Sequence, residues 1–332
     1  MSRVLVIGKI HPAGIEILNA RRDLTVIAVE DPGAPIPLDE VTRAHAILIR
    51  YGVLSESAVR CARDLRVVSR HGVGCDNLPV AALSARGIPV TIVGPVNAIS
   101  VAEQVIAMIL AASKRLGVYD AAVRAGNWAI RDSIGTFEIQ GKTLLLLGFG
   151  RIGREVAQRA SALGMRVLAH DPGVAAAEMR SGGVEAVVDW RARLAEVDVL
   201  SLHVPLDPGT RNLVDATVLE RIKPTALIIN TARGGLVDEE ALYRALTTRM
   251  IEGGAALDTF SREPVDANHP LCRLPNVILS PHSAALTREA SKRMGVVAAR
   301  NVLAGLDGNL DPTLIVNRQA LEAARARTEP NA

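Results

Sequence analysis

Four apolar, strand-length runs of this chain stop at residues able to do chemistry. Val197 to Leu202 stops at His203-Val204-Pro205, and Ala226 to Asn230 stops at Thr231-Ala232-Arg233-Gly234-Gly235. Gly254 to Leu257 stops at Asp258, with Glu263-Pro264 shortly after, and Val277 to Leu279 stops at Ser280-Pro281-His282. Ligands of open α/β sheets bind beyond the carboxyl ends of the strands, so polar residues at those ends outrank polar residues elsewhere. The set suits hydride chemistry on a carbonyl beside a carboxylate. The arginine fork binds a carboxylate through two parallel hydrogen bonds and is always charged. A histidine can give a proton to the carbonyl oxygen and take it back in reverse. A neighbouring carboxylate stabilises the imidazolium and orients its ring. Each residue also has a plainer reading: Arg233 as a surface turn residue, Glu263 as a solvated loop carboxylate, His282 as a packed or capping histidine. The two glycines after Arg233 favour close backbone approach. His203 ends a strand as well, so the sequence leaves two candidates for the acid.

A fifth run, Lys142 to Leu147, stops at Gly148-Phe149-Gly150-Arg151-Ile152-Gly153 and is followed by helix-like Arg154 to Ala160. Strand, glycine turn and helix together make G-x-G-x-x-G a dinucleotide signal; alone it would also describe an ordinary βα turn. The first glycine permits the tight turn, the second lets backbone approach a pyrophosphate, and the third brings helix and strand close. The helix start offers N–H groups and partial positive charge to the phosphates. The next strand, Arg166 to His170, ends at Asp171, where the fingerprint places an acid on the ribose. A carboxylate there accepts from the ribose hydroxyls and repels a 2′-phosphate, which points to NAD over NADP.

The elements that must carry these residues fall into two α/β units. From Val4 to Val93, five apolar strands alternate with helical segments, as in a parallel sheet covered on both faces. A second alternation of seven strands begins near residue 142. Between them, Ser100 and Glu103 read as an S-x-x-E capping box opening a helix to about Leu116 that has almost no polar face. Such a helix is buried on both sides, within one chain or at a subunit interface, and its place between two units favours the interface. A helix from about Thr287 to Leu303 follows the last strand. The expected fold is therefore α/β, with two doubly wound parallel-sheet domains. A Rossmann NAD-binding domain, 99–285, is inserted into a flavodoxin-like substrate domain of residues 1–98 and 286–332, with a hinge and cleft at the crossings. The final stretch, Ala320 to Ala332, is polar and Ala/Arg-rich, and its end is expected to be disordered.

Composition agrees. The 332 residues are 49% hydrophobic and 22% charged, but only 2% aromatic, so the core must be mainly Ala, Val, Leu and Ile. A net charge of +3, spread along the chain, leaves no basic patch for nucleic acid. No apolar stretch suits a membrane span, and the N-terminus has no signal-peptide pattern. Cys61, Cys75 and Cys272 lack metal or disulfide spacing, which points to a reducing cytoplasm and no metal site.

These motifs, in this order, resemble the D-isomer-specific 2-hydroxyacid dehydrogenases. The likeness also rests on Gly72-Val73-Gly74-Cys75-Asp76-Asn77 and on Asn97-Ala98-Ile99-Ser100-Val101-Ala102-Glu103. It runs from about residue 45 to 305. It implies that Arg233 binds the substrate carboxylate and carbonyl, that His282 is the acid/base, and that Glu263 pairs with it. It assigns the cofactor surroundings to Val73, Gly148, Gly150, Arg151, Ile152, Gly153, Asp171, His203, Val204, Pro205, Thr210, Thr231, Ala232, Asp258 and Ala284. Around the substrate it places Arg50, Val73, Gly74 and Asn97 beside Arg233 and His282. It further implies a homodimer formed through the helix starting at Ser100. The chain is most similar to the phosphoglycerate dehydrogenase-like branch, without that branch's C-terminal regulatory domain. Ile49-Arg50 matches an arginine near the substrate there. Tyr51-Gly52, His71 and Ala284 (in place of a glycine) depart from the pattern, and His71 is a further candidate to touch substrate. The implied activity is interconversion of a 2-oxo acid and a D-2-hydroxy acid with NAD, on 3-phosphoglycerate or hydroxypyruvate/glyoxylate. The alternative is an NAD(H)-sensing binding protein of the corepressor type.

Overall fold

The computed structural model describes residues 1–31 and 35–328. The chain divides into two compact units, one of residues 1–97 and 286–332, the other of residues 98–285.

The first unit is a five-stranded parallel sheet. Its strands are β1 (Ser2–Ile7), β2 (Leu24–Val29), β3 (Ala46–Ile49), β4 (Val67–Arg70) and β5 (Val90–Thr91). Their order, β2-β1-β3-β4-β5, is the flavodoxin-like doubly wound order. The sequence suggested a longer last strand, Ile88 to Val93. Pro89 cannot donate to the ladder, and buried Asn317 takes over part of the pairing: its Oδ1 accepts from Val90 N at 2.9 Å and its Nδ2 donates to Ile88 O at 2.9 Å. The helix Arg288–Asp307 completes this unit. Ser69 Oγ donates to Ala298 O at 2.9 Å. A Cβ on Gly14 would lie 2.6 Å from Gly295 O, so the helix Pro12–Asn19 can approach this closely only because residue 14 is glycine. Arg318–Thr328 is helical; the expected disorder at the very end of the chain falls on the last four residues, which lie outside the described residues.

The second unit is a seven-stranded parallel sheet of β6 (Thr143–Leu147), β7 (Arg166–His170), β8 (Glu185–Ala186), β9 (Val199–Leu202), β10 (Leu227–Asn230), β11 (Gly254–Leu257) and β12 (Val277–Leu279). The order β8-β7-β6-β9-β10-β11-β12 is a dinucleotide fold with one added strand. Alternate residues sort to opposite faces, as pleating requires. Leu145, Leu147, Leu200, Leu202, Ile228, Ala255 and Leu257 enter one core, while Leu144, Leu146, Val199, Leu227, Ile229 and Ala256 enter the other. That is why these strands read as continuous apolar runs. All seven run the same way, so their carboxyl ends share one edge.

The apolar helix after residue 97 corrects the sequence reading of where it starts. It runs Ala98–Ser113, so Ser100 lies inside its first turn, buried, and does not cap it. Asn97 is an equally good capping type and comes first in the chain. Its apolar side is also covered within its own unit: Ala102, Val105, Met108 and Ile109 share a core with Val156, Ala157 and Ala160 of the helix Arg151–Ala162. Ile99, Glu103 and Ala107, one face at four-residue spacing, are exposed.

Candidate active site

The shared edge of the second sheet carries the strand-end residues. At β6, Gly148 has φ +99°, and a Cβ there would lie 2.4 Å from His203 O at the end of the neighbouring β9. A Cβ on Gly153 would lie 2.3 Å from Gly148 O, so the third glycine seats the helix on the turn. Nothing lies within 4 Å of a Cβ on Gly150. Its backbone is therefore open to a pyrophosphate, and the helix beginning at Arg151 has no side chain capping its N–H groups. At the end of β7, Asp171 Oδ2 accepts from Phe149 N at 2.8 Å and Oδ1 from Gly173 N at 2.8 Å. The acid is thus held against the glycine turn. Open backbone, uncapped helix start and fixed carboxylate fit a dinucleotide.

At the end of β9, His203 Nε2 lies 2.9 Å from Ser201 Oγ, and burial pushes the imidazole down to about 4. Its carbonyl borders Gly148, which places it beside the glycine turn. The loop beyond Val204 and Pro205 is closed by Thr210, whose hydroxyl donates to Pro205 O at 2.7 Å and accepts from Asp207 N at 2.8 Å.

At the ends of β10, β11 and β12 the reacting groups are fixed by neighbours. Asn230 Nδ2 donates to Arg233 O at 2.7 Å, and its Oδ1 accepts from Ala232 N at 3.1 Å, which sets the backbone of Thr231, Ala232 and Arg233. Asp258, 1% exposed, accepts from Ser283 N and Ala284 N, each at 2.9 Å, and from Ser280 Oγ at 2.5 Å. Between those partners sits His282, at φ +52° and with its N–H on Asp258 O at 2.8 Å. A left-handed histidine is uncommon and persists where its surroundings over-determine it; Asp258 supplies that determination. Asp258 and Ala284 therefore hold the histidine loop, a role the sequence did not distinguish from contact with the cofactor.

Half-exposed His282 and Glu263 form the central pair, with Nδ1 2.7 Å from Glu263 Oε2. Glu263 Oε1 accepts from Phe260 N at 3.0 Å. Burial alone would raise the Glu263 carboxyl. The hydrogen bonds from His282 and Phe260, with the charges of His282 and Arg233, outweigh it and hold the group below the usual carboxylate range. With Nδ1 on a carboxylate, the free ring nitrogen is Nε2.

Four of the expected residues, Arg50, Val73, Gly74 and Asn97, lie in the first unit. Arg50 donates to Lys9 O. Arg70 shapes the turn that carries Val73 and Gly74: its Nε donates to Gly74 O at 2.9 Å, and Nη1 to Arg50 O at 2.7 Å and His71 O at 3.0 Å. His71, 5% exposed, has neither ring nitrogen hydrogen-bonded, and burial, then the Arg50 charge, push it down to about 4. Asn230, Ser280 and Arg70 were not singled out from the sequence. Their signal is position, at or next to a strand's carboxyl end.

Comparison with known proteins decides the family. Residues 106–284 match the model of the D-isomer specific 2-hydroxyacid dehydrogenase NAD binding domain. The chain belongs to the D-isomer specific 2-hydroxyacid dehydrogenase family. A D-3-phosphoglycerate dehydrogenase of Methanocaldococcus jannaschii is 36% identical over 95% of this chain and 59% of its own length. One of Archaeoglobus fulgidus is 38% identical over 80% of this chain and 50% of its own. The chain thus spans little more than half the length of these relatives. Among solved structures, a D-lactate dehydrogenase from Aquifex aeolicus, complexed with NAD and lactic acid, is 29% identical with a TM-score of 0.83, covering 92% of this chain and 96% of that one. Within the dehydrogenase family fold, the glycine turn, Arg233, Glu263 and His282 stand on one sheet edge of the matched domain.

Proposed function

We propose that this chain is an NAD-dependent oxidoreductase that interconverts a 2-oxo acid and a D-2-hydroxy acid. The observation that carries the reading is the 2.7 Å pair of Glu263 and His282 on the sheet edge that also holds Arg233 and the glycine turn. When bound, the nicotinamide supplies or accepts the hydride. The protein does the rest. Arg233 binds the substrate carboxylate and polarises the carbonyl. His282, protonated for reduction, gives the proton on Nε2 to the carbonyl oxygen, and in oxidation neutral Nε2 takes it back. Glu263 stays ionised and holds the imidazolium in place. Val73, Gly74, Arg50 and Asn97 belong to the substrate side of this reading. Val73, Gly148, Gly150, Arg151, Ile152, Gly153, Asp171, His203, Val204, Pro205, Thr210, Thr231, Ala232, Asp258 and Ala284 belong to the cofactor side. Asp171 selects NAD over NADP by charge, and a higher kcat/KM with NADPH would overturn that choice. The substrate class is that of the relatives' names, with 3-phosphoglycerate, hydroxypyruvate and glyoxylate as the acids to try first.

The test is oxidation of NADH with 3-phosphohydroxypyruvate, hydroxypyruvate, glyoxylate and pyruvate. Turnover with at least one is expected. Arg233→Ala should then lose about 10²–10³-fold in kcat/KM, and His282→Ala at least as much with NADH binding intact. Near-wild-type turnover in either variant refutes its role. No turnover with any acid, together with NADH-dependent association with a protein partner, would favour the sensing alternative.

A homodimer and a cytoplasmic location complete the proposal. After the helix Ala98–Ser113, the helix Leu116–Arg124 has no buried residue, and Trp128, Ile134 and Phe137 are exposed beyond it. Exposed apolar side chains in sequence mark an association surface, and a solution mass of a single chain would overturn that assignment. Among the described residues no helix is long and apolar enough to cross a membrane.

A further inference from the structure

The backbone of Phe260 and Ser261, two successive peptide units, touches three of the groups around the candidate site. The Phe260 N–H donates to Glu263. The Phe260 carbonyl packs on Gly234, next to Arg233, so closely that a Cβ there would lie 1.9 Å from the oxygen. The Ser261 N–H donates to Glu239 Oε1 at 2.6 Å, and the Ser261 hydroxyl donates to the same oxygen at 2.8 Å. The backbone path through Phe260, from the N–H on Glu263 to the carbonyl on Gly234, therefore sets where Glu263 stands relative to Arg233. Glu239 is the group that holds it from the far side.

Glu239 is itself fixed. It is the first residue of the helix Glu239–Thr247, and its side chain is only 17% exposed. Its second oxygen faces His269 Nε2 at 3.3 Å, and the His269 ring meets the Phe260 ring edge-on, with centroids 6.4 Å apart and planes at 70°. The same histidine thus braces both the carboxylate and the residue whose peptide that carboxylate holds. His269 Nδ1 is buried without a hydrogen-bond partner, so the ring's polar contact is the one to Glu239. A solvated helix-start glutamate would have none of these contacts.

We propose that Glu239, braced by His269, is a positioning residue that sets Glu263 against His282 through the backbone of Phe260 and Ser261. The proposal rests on the dehydrogenase reading above. Geometry losses of about 1 Å at a reacting pair cost on the order of a hundredfold in rate, so a support at this remove is worth testing by kinetics.

The experiment compares Glu239→Ala, Glu239→Gln and Glu263→Gln, singly and as the Glu239→Ala/Glu263→Gln double variant, in the full-length protein. Glu239→Ala should lower kcat at least about tenfold and leave the KM for NADH within about twofold. It should move the fall of 2-oxo acid reduction to lower pH, as Glu263→Gln does. The double variant should be little worse than Glu263→Gln, because groups acting through one another do not add. Glu239→Gln, whose amide oxygen still accepts from Ser261, should recover most of the loss. An unchanged kcat and pH profile in Glu239→Ala, or effects that multiply fully in the double variant, would overturn the assignment. If Glu239→Ala does not fold, Ser261→Ala carries the test: a severalfold fall in kcat with the same pH shift supports it, and wild-type behaviour overturns it. If the wild-type protein turns over none of the acids, the dehydrogenase reading has failed, and titration of the His282 ring by NMR decides the positioning role. A shift to lower pH in Glu239→Ala supports it, and an unchanged titration overturns it.

Discussion

Glu263 and His282 lie nineteen residues apart in the chain and 2.7 Å apart in space. The carboxylate is worth having only if it changes the protonation of the ring, and that has a sign. An ionised neighbour favours imidazolium. Removing the charge in Glu263→Gln should therefore move the fall of 2-oxo acid reduction to lower pH. The matching rise of hydroxy acid oxidation should move the same way. The amide oxygen still accepts from Nδ1, so the ring keeps its orientation and kcat at the new optimum should drop by about tenfold, less than in His282→Ala. A pH profile of kcat/KM in both directions is the measurement. A limb that stays put would mean that the pair is orienting and not electrostatic.

At the scale of elements, the same site shows what was legible in the sequence and what was not. Gly148 to Gly153 could be read directly, because a tight turn, an open backbone and a seated helix each demand glycine at a set position. Arg233, Glu263 and His282 could be read from strand ends, since in a parallel sheet the carboxyl ends gather at one edge. Their supports could not. Asn230 holding Arg233, Asp258 holding His282 and Glu239 holding Ser261 are contacts between different loops, and no local pattern encodes which loop a side chain will reach. The helix after Asn97 is a different case: periodicity shows that it is apolar nearly all round, but not which of its sides a neighbouring helix of its own unit covers. Gly234 joins both levels. Its glycine was noticed as a sign of close approach, and the structure shows the Phe260 carbonyl as the thing approached. Gly234→Ala must push the loops at the ends of β10 and β11 apart. We expect a loss of about 1–3 kcal/mol in stability, as for overpacking elsewhere, and a fall in kcat/KM of more than tenfold. Alanine at Gly150, where nothing lies within 4 Å, should leave stability unchanged, so thermal unfolding of the two variants side by side checks the geometry.

The whole molecule carries one such cost in each unit. His71 in the first and His203 in the second are both held near 4, against 6.5 for an unperturbed imidazole, each mainly by burial. For His71 the Arg50 and Arg70 charges add to the effect. Below about pH 6.5 the unfolded chain takes up a proton at each of these positions, while the folded chain does not until about pH 4. Where the unfolded state binds more protons, stability rises with pH. The contribution of the two rings is therefore complete above pH 6.5 and is lost progressively as pH falls towards 4. Glu263, held below the usual carboxylate range, adds its own loss only at more acidic pH. Urea midpoints should accordingly fall between pH 7.5 and 5. His71→Gln keeps a polar side chain of similar reach but cannot take up the proton, so it should flatten that slope by about half if the units unfold together. If they unfold separately, it should flatten the first unit's transition and leave the second's unchanged. An unaltered slope in His71→Gln would show that the His71 ring is solvated in the native state, and would remove it from the residues enclosed beside the Val73–Gly74 turn.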